Sequence, residues 1–314
     1  MIDPAAYAPR KMRAAGLSIL SNTTLIVLKV IAGILTGSIA IITEAVHSSI
    51  DLIASVVAYF SVRKADEPAD ENHPYGHAKV ENLAAALEGV LILAGAGIIV
   101  YESIRRLAHV PEVESLGIGI AVIGFSGVAN VLVSRYLYRQ ARATDSAALE
   151  GDAAHLSTDA MTSFGVLVGL VLVEATGAQV LDPIAALLVA GAIIWSGIRI
   201  VTRSSRVLVD EALPAGELAA IREVVEGHDA PEIAGFHKLR ARRGGSRRYV
   251  DLHVQFRSGT TLVRAHEVAH ELQHGILERL PDADVLIHLE PSERPGEHSA
   301  SASSPRDRSR ITGG

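Results

Sequence analysis

Cysteine is missing from all 314 residues. That excludes disulfide bonds and thiolate metal ligands, and it leaves the redox compartment unmarked. Charge is missing too, but locally. Residues 14–60 and 83–203 hold few Asp, Glu, Lys or Arg, whereas 204–314 are rich in them. A chain that is 49% hydrophobic and divided in this way reads as a membrane domain followed by a soluble one, not as one large globule. The formal net charge of −6 lacks the basic excess that nucleic-acid binding needs, so no nucleic-acid partner is expected. Arg10, Lys11 and Arg13 precede the first apolar run, but no clear cleavage site follows it. That run is expected to be a span and not a cleaved leader.

Six membrane helices are predicted, at about 14–36, 39–62, 80–107, 115–138, 148–176 and 182–203. The third is rich in small residues, among them Ala84, Ala85, Ala86, Gly89, Gly95 and Gly97, which let helices approach closely. Six spans put both termini on one side. The basic clusters Arg10–Arg13, Arg63–Lys64, Arg135–Arg142 and Arg199–Arg206 all fall on that side, which makes it cytoplasmic; Arg105 and Arg106 fall opposite. The expected division is a cytoplasmic tail over 1–12, a six-helix transport domain over 13–206, a cytoplasmic α/β domain over 207–290 and a disordered tail over 291–314. In the α/β part an amphipathic helix runs from Pro214 to about Gly227. Alternating runs at Gly235–Arg243 and Tyr249–Arg257 flank the hairpin signal Gly244-Gly245-Ser246. A helix capped by Thr260 or Thr261 reaches about Leu280, and a strand closes at Asp284–Glu290.

The polar exceptions inside the apolar segments matter most. His47 and Asp51 are spaced i, i+4 in the second span, and His155 and Asp159 repeat that spacing in the fifth. On a helix each pair shares one face. Ionisable groups are costly in hydrocarbon and mark function. Two nitrogens and two oxygens from two helices suit a tetrahedral, zinc-like ion. Asn22 can hydrogen-bond this site or serve packing. Glu44, Glu150 and Asp152 can line access routes or sit at the interface.

Two further groups have ligand chemistry. Asp70, His73 and His77 lie in the loop after the second span; Pro74 and Gly76 make it a turn, not one helical face. The α/β part contains His237, His253, His266, His270, His274 and His288, with Glu290 beside the last. His288 and Glu290, two apart, share one face of a strand. His266-Glu267-Val268-Ala269-His270 is a formal H-E-x-x-H, the zinc-peptidase pattern, but it sits on a polar helix of a small domain with no obvious cleft.

Over roughly residues 10–290 the chain resembles the cation diffusion facilitator family of divalent-metal/proton exchangers. The resemblance rests on the two His/Asp pairs, the Asp70-Glu-Asn-His73-Pro-Tyr-Gly-His77 loop and the ferredoxin-like final domain. It implies a homodimer in the inner membrane that exports zinc from the cytoplasm in exchange for protons. It implies transport ligands His47, Asp51, His155 and Asp159, and a loop site of Asp70, His73 and His77. It also implies a dimer-associated cluster of His237, His253, His266, His288 and Glu290, where the family often has Asp in place of Glu290. Lys79 and Asp210 are similar to an inter-subunit charge lock. His47 resembles zinc-selective members; manganese, iron, cobalt and cadmium remain alternatives. A membrane-anchored zinc peptidase and a metal sensor on an inert anchor are the competing classes.

Overall fold

The structure, a computed structural model, describes residues 8–36, 39–108 and 117–292. Residues 1–7, 37–38, 109–116 and those from 293 onward lie outside the described residues. The chain divides into two compact units: Met1–Glu211 with Arg242–Arg248, and Ala212–Ala241 with the chain from Tyr249 onward.

Six long helices make up the first unit: α1 (Ala8–Thr36), α2 (Ile39–Ala65), α3 (Lys79–Ala108), α4 (Gly117–Thr144), α5 (Ala147–Thr176) and α6 (Leu181–Leu208). Its polarity is inverted relative to a soluble globule. Leu35, Leu188 and Trp195 are exposed, while Ser18, Asn22, Lys29, Asp51, Glu88 and Asn130 are buried. Apolar outside and polar inside is stable only where the solvent is lipid. Among the described residues, five helices, α1, α3, α4, α5 and α6, are long and apolar enough to cross a membrane. Close approach of α3 and α6 depends on Gly89 and Gly197: a Cβ on Gly89 would meet the Val201 backbone nitrogen at 3.2 Å and Gly197 O at 3.3 Å.

Hydropathy places three helix ends short. α1 begins at Ala8 instead of near 14, α4 runs to Thr144 and α6 to Leu208. These added turns are charged and project past the apolar band. Pro9 is tolerated because the first turn has no intrahelical acceptor to satisfy. Lys11 is buried and bonds Asp66 at 3.1 Å and Glu81 at 3.0 Å, fastening α1 to the start of α3. Ser146 caps α5 by accepting from Leu149 N at 3.3 Å, and its hydroxyl also bonds Glu81. The start of α1, the start of α3 and the start of α5 therefore meet at one end of the bundle. Gly177, at φ 73°, closes α5 in the left-handed conformation.

The second unit is built from α7 (Ala215–Glu226), β1 (Ile233–Gly244), β2 (Arg247–Phe256), α8 (Leu262–Arg279) and β3 (Ala283–Pro291), except that the hairpin end Arg242–Arg248 belongs to the first unit. Sheet order is β1-β2-β3. Gly245, at φ 70°, supplies the left-handed residue that a two-residue hairpin needs. The ends of β2 and β3 meet through Ser292 N to Phe256 O, 2.6 Å, so these strands run parallel with α8 as the crossover. Val250, Leu252 and Val254 of β2 are fully buried in a core with Ile221 of α7 and Val268, Leu272 and Ile276 of α8. Period-two alternation then puts His253 on the opposite, helix-free face.

Candidate metal centres

In the bundle, α2 and α5 bring Asp51 and His155 together. His155 Nε2 lies 3.1 Å from Asp51 Oδ1 and 3.9 Å from Asp159 Oδ2. One ligand atom from each of the three residues falls within 4.8 Å of the others. Asp51 and His155 are buried, and His155 Nδ1 has no hydrogen-bond partner among the described residues. His47 stands one helical turn before Asp51 on α2; its side chain lies outside the described residues, as does that of Glu44. Asp51 and Asp159 line a cavity of about 240 Å³ with Lys29, Ser48, Ser126 and Asn130. Its walls come from the late part of α3 and the early part of α4, so it lies toward the end of the bundle away from Lys11 and Ser146. A second cavity, about 380 Å³, opens at the Lys11 end, where Glu81, Glu150, Gly151, Arg199 and Arg203 line it. Between the two, α5 residues Asp152 to Leu156 are buried. Asn22 bonds Ser55 at 2.8 Å, and Ser55 bonds Asp152 at 2.9 Å, so Asn22 serves this buried layer.

The loop group converges through its turn. His73 N donates to Asp70 Oδ1 at 2.6 Å, and Gly76, at φ 80°, reverses the chain so that His77 folds back beneath. The His73 and His77 rings stand 4.5 Å apart, and His77 Nε2 is 3.3 Å from Asp70 Oδ2. Asp70 is held below the usual carboxylate range, chiefly by the backbone bond from His73. His77 is buried with both ring nitrogens lacking a hydrogen-bond partner among the described residues. Orphaned nitrogens beside a carboxylate fit a metal-ligand set.

On the open face of the sheet each strand contributes to the third group. Glu290 of β3 bonds His253 of β2 at 2.5 Å and lies 2.8 Å from His237 of β1. Spanning three strands covers roughly 10 Å, which the longer Glu side chain helps to bridge. The bond from His253 is the largest cause holding Glu290 below its ordinary value. His288 joins at the rim, 3.6 Å from Glu290 and ring to ring with His253 at 4.6 Å. His266 is placed elsewhere. It is exposed on α8 and its ring meets His270 at 4.5 Å. Glu267 of the H-E-x-x-H pattern pairs with Arg264 at 3.3 Å. Lys79 and Asp210 pair at 2.6 Å within one chain.

Sequence reasoning passed over Glu88 and Ser55, both buried in the bundle. The signal for Glu88 was present, since it is the one charged residue between Asn82 and Tyr101.

An inside-out helical bundle with a buried His–carboxylate site, followed by a small α/β unit, defines a multi-span membrane protein with metal-ligand chemistry at its centre. The family model "Cation efflux transmembrane domain" matches residues 16–209, and "Cation efflux protein, cytoplasmic domain" matches 213–292. The chain belongs to the cation diffusion facilitator family, whose members are cation-efflux transporters. It is 34% identical over 294 residues to the cation-efflux pump FieF of Yersinia pestis, covering 92% of this chain and 95% of that one. It is 33% identical over 268 residues to an uncharacterised transporter of Synechocystis, covering 85% and 86%. The metal-bound C-terminal domain of the CzcD transporter from Thermotoga maritima is 26% identical, covering 27% of this chain and all of that one, with a TM-score of 0.24.

Proposed function

We propose that this protein exports zinc from the cytoplasm in exchange for protons, through a site of Asp51, His155 and Asp159 completed by His47. The observation behind this is the convergence of one imidazole and two carboxylates within 4.8 Å inside a bundle whose outer surface is apolar. A neutral imidazole binds zinc and an imidazolium does not. Cation loading therefore releases protons, and reprotonation expels the cation. Asp51 and Asp159 offset the ion's loss of hydration, which no neutral lining does as well. The bundle has α2 as its sixth span and both termini on the cytoplasmic side of the inner membrane. The cation arrives by the cavity at the Lys11 end and leaves by the cavity that Asp51 and Asp159 line, as the helices rock in alternation. Asp70, His73 and His77 hold a cation at the loop. His237, His253, His288 and Glu290 hold another on the cytoplasmic sheet. His266 stands apart from that cluster, and filling the cluster favours a homodimer by mass action.

The test is zinc-driven proton flux in proteoliposomes, with manganese, iron, cobalt and cadmium compared. Zinc-dependent flux that Asp51→Ala abolishes is the expected result. Flux with manganese alone keeps the exporter and changes its substrate. No flux with any metal, despite tight zinc binding, favours a sensor. Glu267→Gln separates the peptidase: it kills a peptidase and spares an exporter.

A further inference from the structure

Glu88 and Asp152 take no part in the chemistry above, yet they are among the most deeply buried charges in the bundle. Glu88 of α3 is 1% exposed, and neither of its carboxylate oxygens has a hydrogen-bond partner among the described residues. Asp152 of α5 is also 1% exposed. Its Oδ1 accepts from Ser55 at 2.9 Å, and its Oδ2 is likewise unpartnered. Three orphaned carboxylate oxygens in the core of a lipid-facing bundle are far out of balance. Buried charges persist when paired or when they bind a cation, so oxygens left without a partner here call for one.

The packing around them is built to hold that arrangement. The Glu88 carboxylate lies against α5 at Gly151, where a Cβ would come within 2.5 Å of Oε2 and 3.1 Å of the Ala85 backbone. Glycine therefore leaves the space the carboxylate occupies, and it does so one residue before Asp152. The hydroxyl and amide side are fixed independently: Ser55 also meets Ser18 at 3.1 Å and Asn22 at 2.8 Å. Position along the bundle is informative as well. Ala85 and Gly151 line the cavity at the Lys11 end, whereas Asp159 lines the opposite one. Glu88 and Asp152 thus fall behind the wall of the first cavity, one helical turn short of His155.

We propose that Glu88 and Asp152, flanked by the Ser55 hydroxyl, form a second divalent-cation site inside the bundle, on the Lys11 side of the Asp51–His155–Asp159 site. This rests on the proposal that the bundle conducts a cation. The two sites differ in donor type. Oxygen donors alone hold a borderline ion such as zinc less firmly than a set containing imidazole. A cation that leaves the first cavity sheds water onto Glu88 and Asp152, then passes to the nitrogen-bearing site, which holds it more tightly.

Zinc alone is the probe, with the full chain in detergent for binding and in proteoliposomes for flux. Glu88→Gln is expected to lose one weakly bound zinc per chain and to raise the half-saturating zinc concentration roughly tenfold. Gly151→Ala is expected to do the same, because its methyl displaces the carboxylate without removing it. Asp152→Asn approaches the site from the other helix and stands in should Glu88→Gln fail to fold. An unchanged zinc count and half-saturation in Glu88→Gln and Asp152→Asn overturn the site. An unchanged zinc count with fewer protons released per zinc also overturns it, and makes the pair a proton carrier instead. Asp51→Ala separates the two levels. If it leaves flux intact, the exporter proposal fails; if it abolishes flux while Glu88→Gln matches the wild type, only the second site fails.

Discussion

His155 Nε2 and Asp51 Oδ1 stand 3.1 Å apart, a contact that joins two helices across 104 residues of sequence. The contact has two separable components, a hydrogen bond and a charge. Asp51→Asn keeps an acceptor for the imidazole and removes the charge that a divalent cation needs. The variant is expected to fold and elute as the wild type does, with zinc affinity lowered at least about tenfold, ~1.4 kcal/mol. Titration of zinc against the full chain, beside a thermal melt, checks both. A variant that binds zinc normally would place the cation elsewhere.

Glu290 organises the sheet cluster by bonding His253 at 2.5 Å and approaching His237 at 2.8 Å. His253→Ala is expected to leave turnover near the wild-type rate, since the bundle site is untouched. Zinc-induced stabilisation should fall instead. A site filled at a hundred times its dissociation constant stabilises by about 2.7 kcal/mol, and the variant should forfeit most of that. Melting curves with zinc and with chelator, together with sedimentation of the dimer, measure it. Equal loss of transport in His253→Ala and Asp51→Ala would remove the division of labour between the two units.

Spacing and hydropathy made much of this legible. The pair His155/Asp159 stands out because an i, i+4 spacing puts both on one helical face, and Asp51 of the second pair joins them; the His47 side chain lies outside the described residues. Gly244-Gly245-Ser246 shows the hairpin because few residues accept φ 70°. Other features depend on what sequence does not encode locally. The first turns of α1 look like a polar tail until Lys11 is seen buried between Asp66 and Glu81. His266 shares a composition with His237, His253 and His288, but it belongs to α8, and residue type alone does not say which face it joins. Glu88 stood alone in an apolar run, and only the packing shows that it meets Gly151 beside Asp152.

Asp210 stands between two cations, Lys79 at 2.6 Å and Arg242 at 2.7 Å. The Lys79 bond first and the Arg242 bond second hold its carboxyl below the ordinary 3.8. A depressed folded value means that the group stabilises the fold above the unfolded value and loses that contribution as pH falls through the folded one. The melting-temperature gap between wild type and Asp210→Asn should therefore be constant at neutral pH. It should begin to close as pH drops to about 3.8 and vanish at more acidic values. Lys79→Met should shrink the gap at neutral pH without abolishing it, because Arg242 remains. A gap that widens on acidification would mean that the pairing does not stabilise the folded state.

Gly89 and Gly97 lie on the same helix and differ in what a methyl group would meet. At Gly89 a Cβ would run into Val201 Cγ2 at 2.7 Å and into two backbone atoms of α6 at 3.2 and 3.3 Å. The valine side chain can rotate away, but the backbone atoms cannot. At Gly97 a Cβ would meet no neighbouring atom within 4 Å among the described residues. Gly89→Ala is therefore expected to push α3 from α6 and cost about 1–3 kcal/mol, the usual price of overpacking. Gly97→Ala should be neutral or stabilising by up to ~1 kcal/mol, since alanine loses less backbone entropy than glycine in a helix. Thermal unfolding of both variants in the same detergent compares them directly. Equal stability for both would mean that the α3–α6 approach tolerates a wider separation than the glycine pair implies.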